Sequence, residues 1–264
     1  MQKLHVIKIG GNIIDDANQL ASFLQSFAKL SGPKILVHGG GKIASTISLG
    51  LGIATEMVDG RRITNAETLK VVTMVYGGLI NKNIVAQLQA YSCNAIGLSG
   101  ADANIIPAQK RIVQDIDYGF VGDLDTDKIR ADMLKLFLDT GLTPILAPLT
   151  HDQKGNMLNT NADTIAAMVA ARLSHDYDVT LMYCFEQAGV LKDLADPKSV
   201  LEHITTHEYA GYKNSGIITK GMIPKLDNAF EVLAKGVKTV YIAHAKAVDD
   251  LVLNKKPYGT QLYA

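Results

Sequence analysis

Apolar and polar positions follow two periods along this chain. Short β-branched runs alternate with longer segments in which apolar residues recur three or four positions apart. Strands that alternate with helices in this way are typical of a mainly parallel sheet covered by helices on both faces. The pattern therefore predicts an α/β fold, a three-layer αβα sandwich with a mainly parallel open sheet.

Each run and each helical segment can be placed on the sequence. The predicted strands are LHVIKI (4–9), KILVH (34–38), NAIGL (94–98), TPILAPL (143–149), DVTLMY (178–183) and TVYIAH (239–244). The predicted helices are residues 18–29, the segment after the glycines at 39–41, and residues 65–91, 127–139, 161–174, 221–235 and 246–254.

Two stretches, 53–64 and 104–123, interrupt the alternation. They are rich in Gly, Asp and short strand-like pieces, which predicts hairpins or lids rather than crossover helices. A weak change of composition near 174–177 predicts a boundary between two lobes, residues 1–175 and residues 176–264.

Composition and charge narrow the class of protein. Of the 264 residues, 47% are apolar, enough for one large α/β domain or two closely packed smaller ones. The formal net charge of +0 argues against a general binder of nucleic acid or of anionic membranes. Two cysteines without a metal-like spacing, and no apolar run long enough for a signal peptide or a membrane span, predict a cytoplasmic protein.

Two glycine loops follow the first two predicted strands. Gly10 and Gly11 come after Lys8, and three glycines, Gly39 to Gly41, come after His38. Backbone N–H groups of such loops can face an oxyanion without obstruction by a Cβ, and the carboxyl ends of parallel strands are where ligands gather. The loops therefore suit a transferring phosphoryl group, although tight turns and a packed His38 are the alternative interpretations.

Three further polar segments are candidates for the site. Asn159 and Asp163 stand at the start of the helix 161–174, where N-capping is the alternative. Arg62 can grip a carboxylate bidentately, and the alternative is a solvated loop arginine. Lys225 falls near a helix start, where the dipole disfavours a lysine and a bound phosphate would compensate. Thr64 with Glu67 fits a capping box, which predicts a structural role for Thr64.

Together, and in this order, the motifs resemble those of the N-acetylglutamate kinases of the amino-acid kinase family. The matching pieces span nearly the whole chain: KIGGN at 8–12, VHGGG at 37–41, DGRRIT at 59–64, GLSG at 97–100, GFVGD at 119–123, NTNADTIAA at 159–167 and GIITKGMIPK at 216–225. The resemblance implies the amino-acid kinase fold, an N-terminal acylamino-acid lobe and a C-terminal nucleotide lobe.

The resemblance also implies roles, residue by residue. Lys8 and Lys225 match lysines that stabilise the transferring phosphoryl group, and Asp163 matches the aspartate that organises them. Phosphate-binding glycines match Gly10, Gly11 and Gly40.

Substrate and nucleotide contacts are implied in the same way. Arg62 matches the arginine that grips a substrate carboxylate. The other implied substrate contacts are Gly40, Gly41 and Asn159. The implied nucleotide contacts are Tyr183, Gly189, Val190, Ile217 and Lys225.

The sequence departs from the family pattern in two places. The nucleotide loop at 183–190 is about two residues longer than usual and lacks the usual aspartate, and Ala101 stands where a lysine is common. The chain also begins directly at the first strand, without the extra N-terminal helix of arginine-inhibited hexameric relatives. The resemblance therefore implies a homodimer without that control.

The implied reaction is phosphorylation of the γ-carboxylate of N-acetyl-L-glutamate by ATP, in arginine biosynthesis. ATP brings Mg²⁺ on its phosphates, and no protein metal site is expected. The carboxylate, with an ordinary pKa of about 4.3, is already ionised near neutral pH and needs no general base. Alternatives are N-succinyl-L-glutamate as substrate, a sister amino-acid kinase, and a non-catalytic acylglutamate sensor.

Overall fold

Each of the six predicted strand segments overlaps a strand of the structure. The computed structural model describes residues 1–58, 61–218, 222–253 and 259–264. In chain order the strands are β1 (Lys3–Ile9), β2 (Lys34–His38), β3 (Met57–Val58), β4 (Arg61–Arg62), β5 (Ala95–Leu98), β6 (Ala108–Lys110), β7 (Gly122–Leu124), β8 (Thr143–Leu146), β9 (Leu149–His151), β10 (Met157–Asn159), β11 (Asp178–Phe185), β12 (His203–Thr205), β13 (Thr239–His244) and β14 (Thr260–Tyr263).

The helices fill the intervals between the strands. They are α1 (Gly11–Asp15), α2 (Ala17–Lys29), α3 (Gly41–Gly50), α4 (Ala66–Val72), α5 (Asn81–Ala90), α6 (Ala131–Asp139), α7 (Ala162–Leu173), α8 (Thr206–Asn214), α9 (Ile223–Ala234) and α10 (Ala247–Val252). A π-helical segment, Thr73–Ile80, joins α4 to α5, and 3₁₀ turns occur at Asp102–Asn104 and Thr126–Lys128. None of the helices in the described ranges combines the length and apolarity that a bilayer crossing requires.

A single eight-stranded sheet organises the described part of the chain. Its order is β12-β14-β13-β11-β1-β2-β8-β5, and every neighbouring pair is parallel except β13 and β14. The central pair is β1 with β11, so the segments before and after 174–177 share this sheet. The predicted mainly parallel sheet is confirmed.

Helices cover both faces of the sheet. Odd-numbered and even-numbered residues of β1 face different helical layers. Leu4 and Val6 join the core under α6, α7 and α9, whereas Ile7 and Ile9 join the core under α2, α5 and α10. Successive residues of a strand point to opposite faces, so Lys8 shares the α7 side with Leu4 and Val6. This parity places the first candidate lysine beside α7.

The two interrupting stretches form hairpins, as predicted. β3 pairs antiparallel with β4, and β6 pairs antiparallel with β7. Hydrogen bonds join the two hairpins: Thr64 N donates to Tyr118 O at 2.9 Å, and Phe120 N donates to Thr64 O at 2.7 Å. The hairpins thus form one continuous layer beside the carboxyl ends of the central strands.

Several predicted elements differ from the observed ones. The strand predicted over 143–149 is wrong in its extent, because β8 ends at Leu146 and β9 begins a separate small sheet at Leu149. The helix predicted over 65–91 contains the π-helical segment. The ends of the helices predicted over 221–235 and 246–254 fall partly on residues 221 and 254, which lie outside the described residues, as do Asp59 and Gly60 of the DGRRIT motif and Thr219 to Gly221 of the last motif. The sequence analysis did not predict α1, β10, β12, α8 or β14.

Candidate active site

The two glycine loops meet at the carboxyl edge of the central strands. Ile9 pairs with His38 across β1 and β2, so the loops that follow are neighbours. Gly39 N donates to Ile9 O at 3.2 Å, and a Cβ on Gly39 would lie 4.0 Å from Gly11 N. The predicted convergence of the loops is therefore present in the fold.

Gly40 has a conformation and a neighbourhood that other residues do not tolerate. Its φ is +144°, and an added Cβ would lie 2.2 Å from Ile80 Cδ1 and 3.3 Å from a ring carbon of Tyr76. The π-helical segment therefore packs directly against this loop. Glycine here lets the backbone approach that segment and keeps its N–H group open at the edge of the sheet.

His38 supports the second loop from within the core. It is fully buried, and its Nδ1 lies 2.8 Å from the carbonyl oxygen of Gly39. Asn81 donates from Nδ2 to Nε2 of His38 at 3.1 Å and to Ile145 O at 2.9 Å. A carbonyl accepts only, so Nδ1 carries the proton and Nε2 accepts, which makes this imidazole neutral.

Lys8, Asp163 and Lys225 form one ion cluster. Lys8 Nζ lies 2.6 Å from Asp163 Oδ1, and Lys225 Nζ lies 2.7 Å from Asp163 Oδ2. The side chains of Lys8 and Asp163 are about one-tenth exposed, at 10% and 11%, and that of Lys225 is 28% exposed. The three residues come from β1, α7 and α9, so only the tertiary structure brings them together.

Asn161 leaves the carboxylate of Asp163 free for this cluster. Its side chain caps α7 by accepting from Asp163 N at 2.8 Å and from Thr164 N at 3.1 Å. Capping was the alternative interpretation of this segment, and the structure divides the two roles between neighbouring residues. Asp163 also offsets the unfavourable placement of Lys225 in the first turn of α9.

The electrostatics of the cluster favour an anion beside it. Burial raises the pKa of Asp163, but Lys8 and Lys225 outweigh burial and hold that pKa well below its usual range. Burial lowers the pKa of Lys8, and the carboxylate of Asp163 opposes this effect. Two ammonium groups on one carboxylate leave one net positive charge at the edge of the sheet.

Arg62 and Asn159 lie at a cavity of about 210 Å³ next to this edge. Arg62 Nη2 donates to Gly41 O at 2.7 Å and to Ser45 Oγ at 2.9 Å. The residue is only 6% exposed, and its Nη1 is buried without a hydrogen-bond partner in the described part of the chain. Asn159 Nδ2 donates to Thr64 Oγ1 at 3.0 Å. The cavity can therefore hold a small carboxylate whose binding completes the contacts of Arg62.

Thr64 is structural, but not as the cap that the sequence predicts. Asn65 caps α4 by accepting from Thr68 N at 2.8 Å, so the predicted capping box of Thr64 and Glu67 is wrong. The side chain of Thr64 instead donates to Arg62 O at 3.1 Å and holds Asn159. A side chain buried between two hairpins follows from long-range contacts, which a local motif does not report.

Three of the predicted nucleotide residues, Tyr183, Gly189 and Val190, are buried. Tyr183 is 2% exposed, and its hydroxyl donates to Asp163 O at 3.3 Å. Val190 is 2% exposed and donates its N–H to Thr260 Oγ1 at 2.8 Å, and a Cβ on Gly189 would lie 2.6 Å from that oxygen. The side chains of Tyr183 and Val190 are thus buried, and their assignment as nucleotide contacts stays a prediction. Ile217 is half-buried before α9.

Sequence reasoning missed other residues that line the cavity. Tyr76 comes from the π-helical segment, and Arg111 and Asp123 come from the hairpin β6–β7. No local motif marks them, because each reaches the cavity through the packing of an element that the sequence describes only as a helix or a lid.

Comparison with known proteins gives concordant matches. A family model described as "Amino acid kinase family" matches residues 3–244. The acetylglutamate kinase of Cytophaga hutchinsonii is 57% identical over 265 residues, covering 100% of both chains. That of Bacteroides thetaiotaomicron is 55% identical over 249 residues, covering 94% of this chain and 96% of its own length. A solved structure, carbamate kinase from Giardia lamblia bound to AMP-PNP, covers 99% of this chain and 98% of its own with a TM-score of 0.70 at 18% identity, which shows the shared fold.

Proposed function

The chain belongs to the amino acid kinase family, and on that premise we propose that it transfers the γ-phosphoryl group of ATP to the γ-carboxylate of N-acetyl-L-glutamate. The observation that carries this function is the ion cluster of Lys8, Asp163 and Lys225 beside the two glycine loops. The curated relatives at 57% and 55% identity, both acetylglutamate kinases, support the same substrate. They do not favour a sister kinase, an N-succinyl substrate or a non-catalytic sensor.

Charge is the main obstacle to this reaction. An ionised carboxylate has to approach the polyanionic phosphates of ATP, and no proton has to be removed from it. Catalysis then depends on position and on stabilisation of the negative charge that spreads over the transferring group. Lys8 and Lys225 supply the positive charge from two sides, and the loops at Gly10, Gly11 and Gly40 supply N–H donors.

Asp163 acts through the lysines. A carboxylate alone at this place would repel the phosphates, whereas one that holds two ammonium groups fixes their positions before substrate arrives. Its two oxygens contact the two lysines, one each. We therefore assign Asp163 a positioning role.

Mg²⁺ fits this site as a companion of the nucleotide. Mg²⁺ keeps several ligands from phosphates and water, and it neutralises charge on the phosphates that carry it. Asp163 is engaged by the two lysines and does not offer a free carboxylate to a metal. The role of this chain is therefore to receive the loaded nucleotide.

The amino-acid substrate lies in the cavity under the hairpins. Its α-carboxylate accepts a hydrogen bond from Nη1 of Arg62, which has no other partner in the described ranges. Gly40, Gly41 and Asn159 border the same cavity. This orientation directs the γ-carboxylate toward the glycine loops. We expect Arg62→Ala to raise the KM for N-acetylglutamate strongly, and an unchanged KM would contradict the assignment.

The nucleotide lies over the C-terminal part of the chain. We assign residues 1–175 to an acylamino-acid lobe and residues 176–264 to a nucleotide lobe. Ile217, Gly189 and Lys225 border the nucleotide, and Tyr183 and Val190 support it from below. Tyr183 does so through its hydrogen bond to Asp163 O.

We also propose that the protein is a cytoplasmic homodimer and that it acts in arginine biosynthesis. Both cysteines are free and buried, which suits a reducing compartment. Leu49 and Leu51 at the end of α3, and Met74 and Leu79 on the adjacent π-helical segment, are exposed apolar side chains that a second copy would cover. Sedimentation equilibrium tests this: a monomer at micromolar concentration would contradict the homodimer.

Trapping of the acyl phosphate tests the proposed reaction. Hydroxylamine converts an acyl phosphate to a hydroxamate, so the protein with Mg-ATP and N-acetyl-L-glutamate should produce a hydroxamate. N-acetyl-L-glutamine, which lacks the γ-carboxylate, is the matched control and should give none. N-succinyl-L-glutamate, free glutamate and carbamate complete the panel. Preference for any of these over N-acetyl-L-glutamate would overturn the proposed substrate.

A further inference from the structure

One wall of the substrate cavity has no part in the function proposed above. The glycine loops receive the γ-carboxylate and Arg62 receives the α-carboxylate. The proposed function assigns no contact to the N-acyl group of the substrate. It also assigns no role to the wall that the hairpin β6–β7 contributes. Arg111 and Asp123 line the cavity on this wall.

The guanidinium of Arg111 is held firmly in place. Its Nε lies 3.0 Å and 3.2 Å from the two oxygens of Asp123, and its Nη2 lies 2.5 Å from Asp123 Oδ1. The group also stands over the ring of Tyr118, 5.3 Å from its centroid. Two of its three nitrogens are therefore engaged, and the plane of the group is fixed.

The third nitrogen of Arg111 has no acceptor. Nη1 is buried and makes no hydrogen bond to the described residues. A buried donor without an acceptor is destabilising, so a ligand oxygen that accepts its hydrogen bond binds more tightly. Arg111 lines the cavity and Asp123 fixes its guanidinium, so a substrate oxygen that reaches Nη1 meets a rigid donor.

Arg111 differs from Arg62 in charge, and the difference points to the kind of oxygen. Arg62 donates to a carbonyl and a hydroxyl, and it has no carboxylate partner in the described part of the chain, so its positive charge is available to an anion. Asp123 neutralises Arg111. A neutralised guanidinium with one unpaired NH₂ group matches a neutral acceptor better than a second carboxylate.

We propose that Arg111, held by Asp123, donates from Nη1 to the acyl carbonyl oxygen of the substrate and so selects N-acylated glutamate. This inference rests on the proposed function. Free glutamate carries an ammonium group instead of the acyl amide. The N–H donors of that ammonium group would face Nη1 of Arg111, which would then have no acceptor. The selection against the unacylated amino acid follows from that mismatch.

The test removes the two members of the contact separately. On the protein side, Arg111→Gln with Asp123→Asn deletes the pair without changing the charge of the cavity. On the substrate side, N-thioacetyl-L-glutamate replaces the acyl oxygen with sulfur, a weak acceptor. A hydrogen bond to a charged group is worth about 1.5–3 kcal/mol, so kcat/KM for N-acetyl-L-glutamate should fall about 10- to 150-fold in the double variant. With the thioacetyl substrate the same variant should lose no more than a few-fold.

Two controls make the result specific. Arg130 holds Asp132 through the same two donor atoms, Nε and Nη2, on an exposed surface. Arg130→Gln with Asp132→Asn should leave the kinetics unchanged. The α-amide of N-acetyl-L-glutamate keeps the acyl oxygen, so the Arg111 and Asp123 variant should lose as much on it as on N-acetyl-L-glutamate.

The outcomes separate this inference from the function on which it rests. A wild-type protein that makes no hydroxamate from N-acetyl-L-glutamate overturns the proposed function. A wild-type protein that is active but does not distinguish oxygen from sulfur overturns the role of Arg111, even if the double variant fails to fold. Equal losses on both substrates in a folded variant also overturn it.

Discussion

The buried His38 predicts a specific dependence of stability on pH. Burial is the main cause that lowers the pKa of His38, to about 4, and the nearby Lys82 lowers it further, while the contact with Gly39 O opposes both. In the unfolded chain the imidazole has its ordinary pKa of about 6.5. Between these two values the unfolded state binds a proton that the folded state does not.

The sign and size of the effect follow from this difference. As the pH falls below about 6.5, protonation stabilises the unfolded chain, and the loss of stability stops growing below about pH 4. A difference of about 2.5 pKa units, at about 1.36 kcal/mol for each unit, gives a full loss of about 3 kcal/mol. That is a large share of the roughly 5–15 kcal/mol by which such domains are stable.

Urea denaturation of wild type and His38→Asn at pH values from 7 to 4.5 measures this loss. The asparagine amide can donate to Gly39 O and accept from Asn81, and it does not titrate. We expect the variant to be the less stable protein at pH 7 because it leaves a gap, and the difference between the two proteins to shrink by about 2 kcal/mol by pH 4.5. His5 and His244, whose pKa values burial also lowers, are common to both proteins and cancel. Parallel stability curves would refute the argument.

Three further predictions concern the ion cluster and the layer formed by the two hairpins. Lys8→Ala and Lys225→Ala should each lower kcat about 100- to 1000-fold with much smaller changes of KM, and near-normal kcat in the hydroxamate assay would exclude the assigned lysine. Asp163→Asn should lower the free energy of unfolding by about 3 kcal/mol at pH 7, because two ammonium groups lose their counter-ion; equal urea midpoints would contradict this. Gly119→Ala should cost about 2–3 kcal/mol, because Gly119 has a φ of +73° and a Cβ would lie 2.3 Å from Thr64 O; an unchanged thermal midpoint would disprove it.

The central strands were predictable because their signal is local. β2 was predicted over its observed residues, and the ends of β1 and β13 differ by a residue or less. The outer part of the sheet gave less signal. β12 has three residues, of which one is buried, and β14 has four, of which two are buried. The start of α8 did carry a readable signal, the capping box of Thr205 and Glu208, which the sequence analysis passed over.

The sequence by itself determined the chemistry at the edge of the sheet. Glycines directly after two buried strands expose N–H groups wherever those strands lie, because a parallel sheet puts the ends of neighbouring strands together. The tertiary structure decided which charges meet there. The parity of β1 turns Lys8 toward α7, the cap by Asn161 frees the carboxylate of Asp163, and the position of α9 brings Lys225 to its second oxygen. Such contacts depend on packing between elements far apart in the chain, and the same packing, rather than any motif, placed Arg111 in the wall of the cavity.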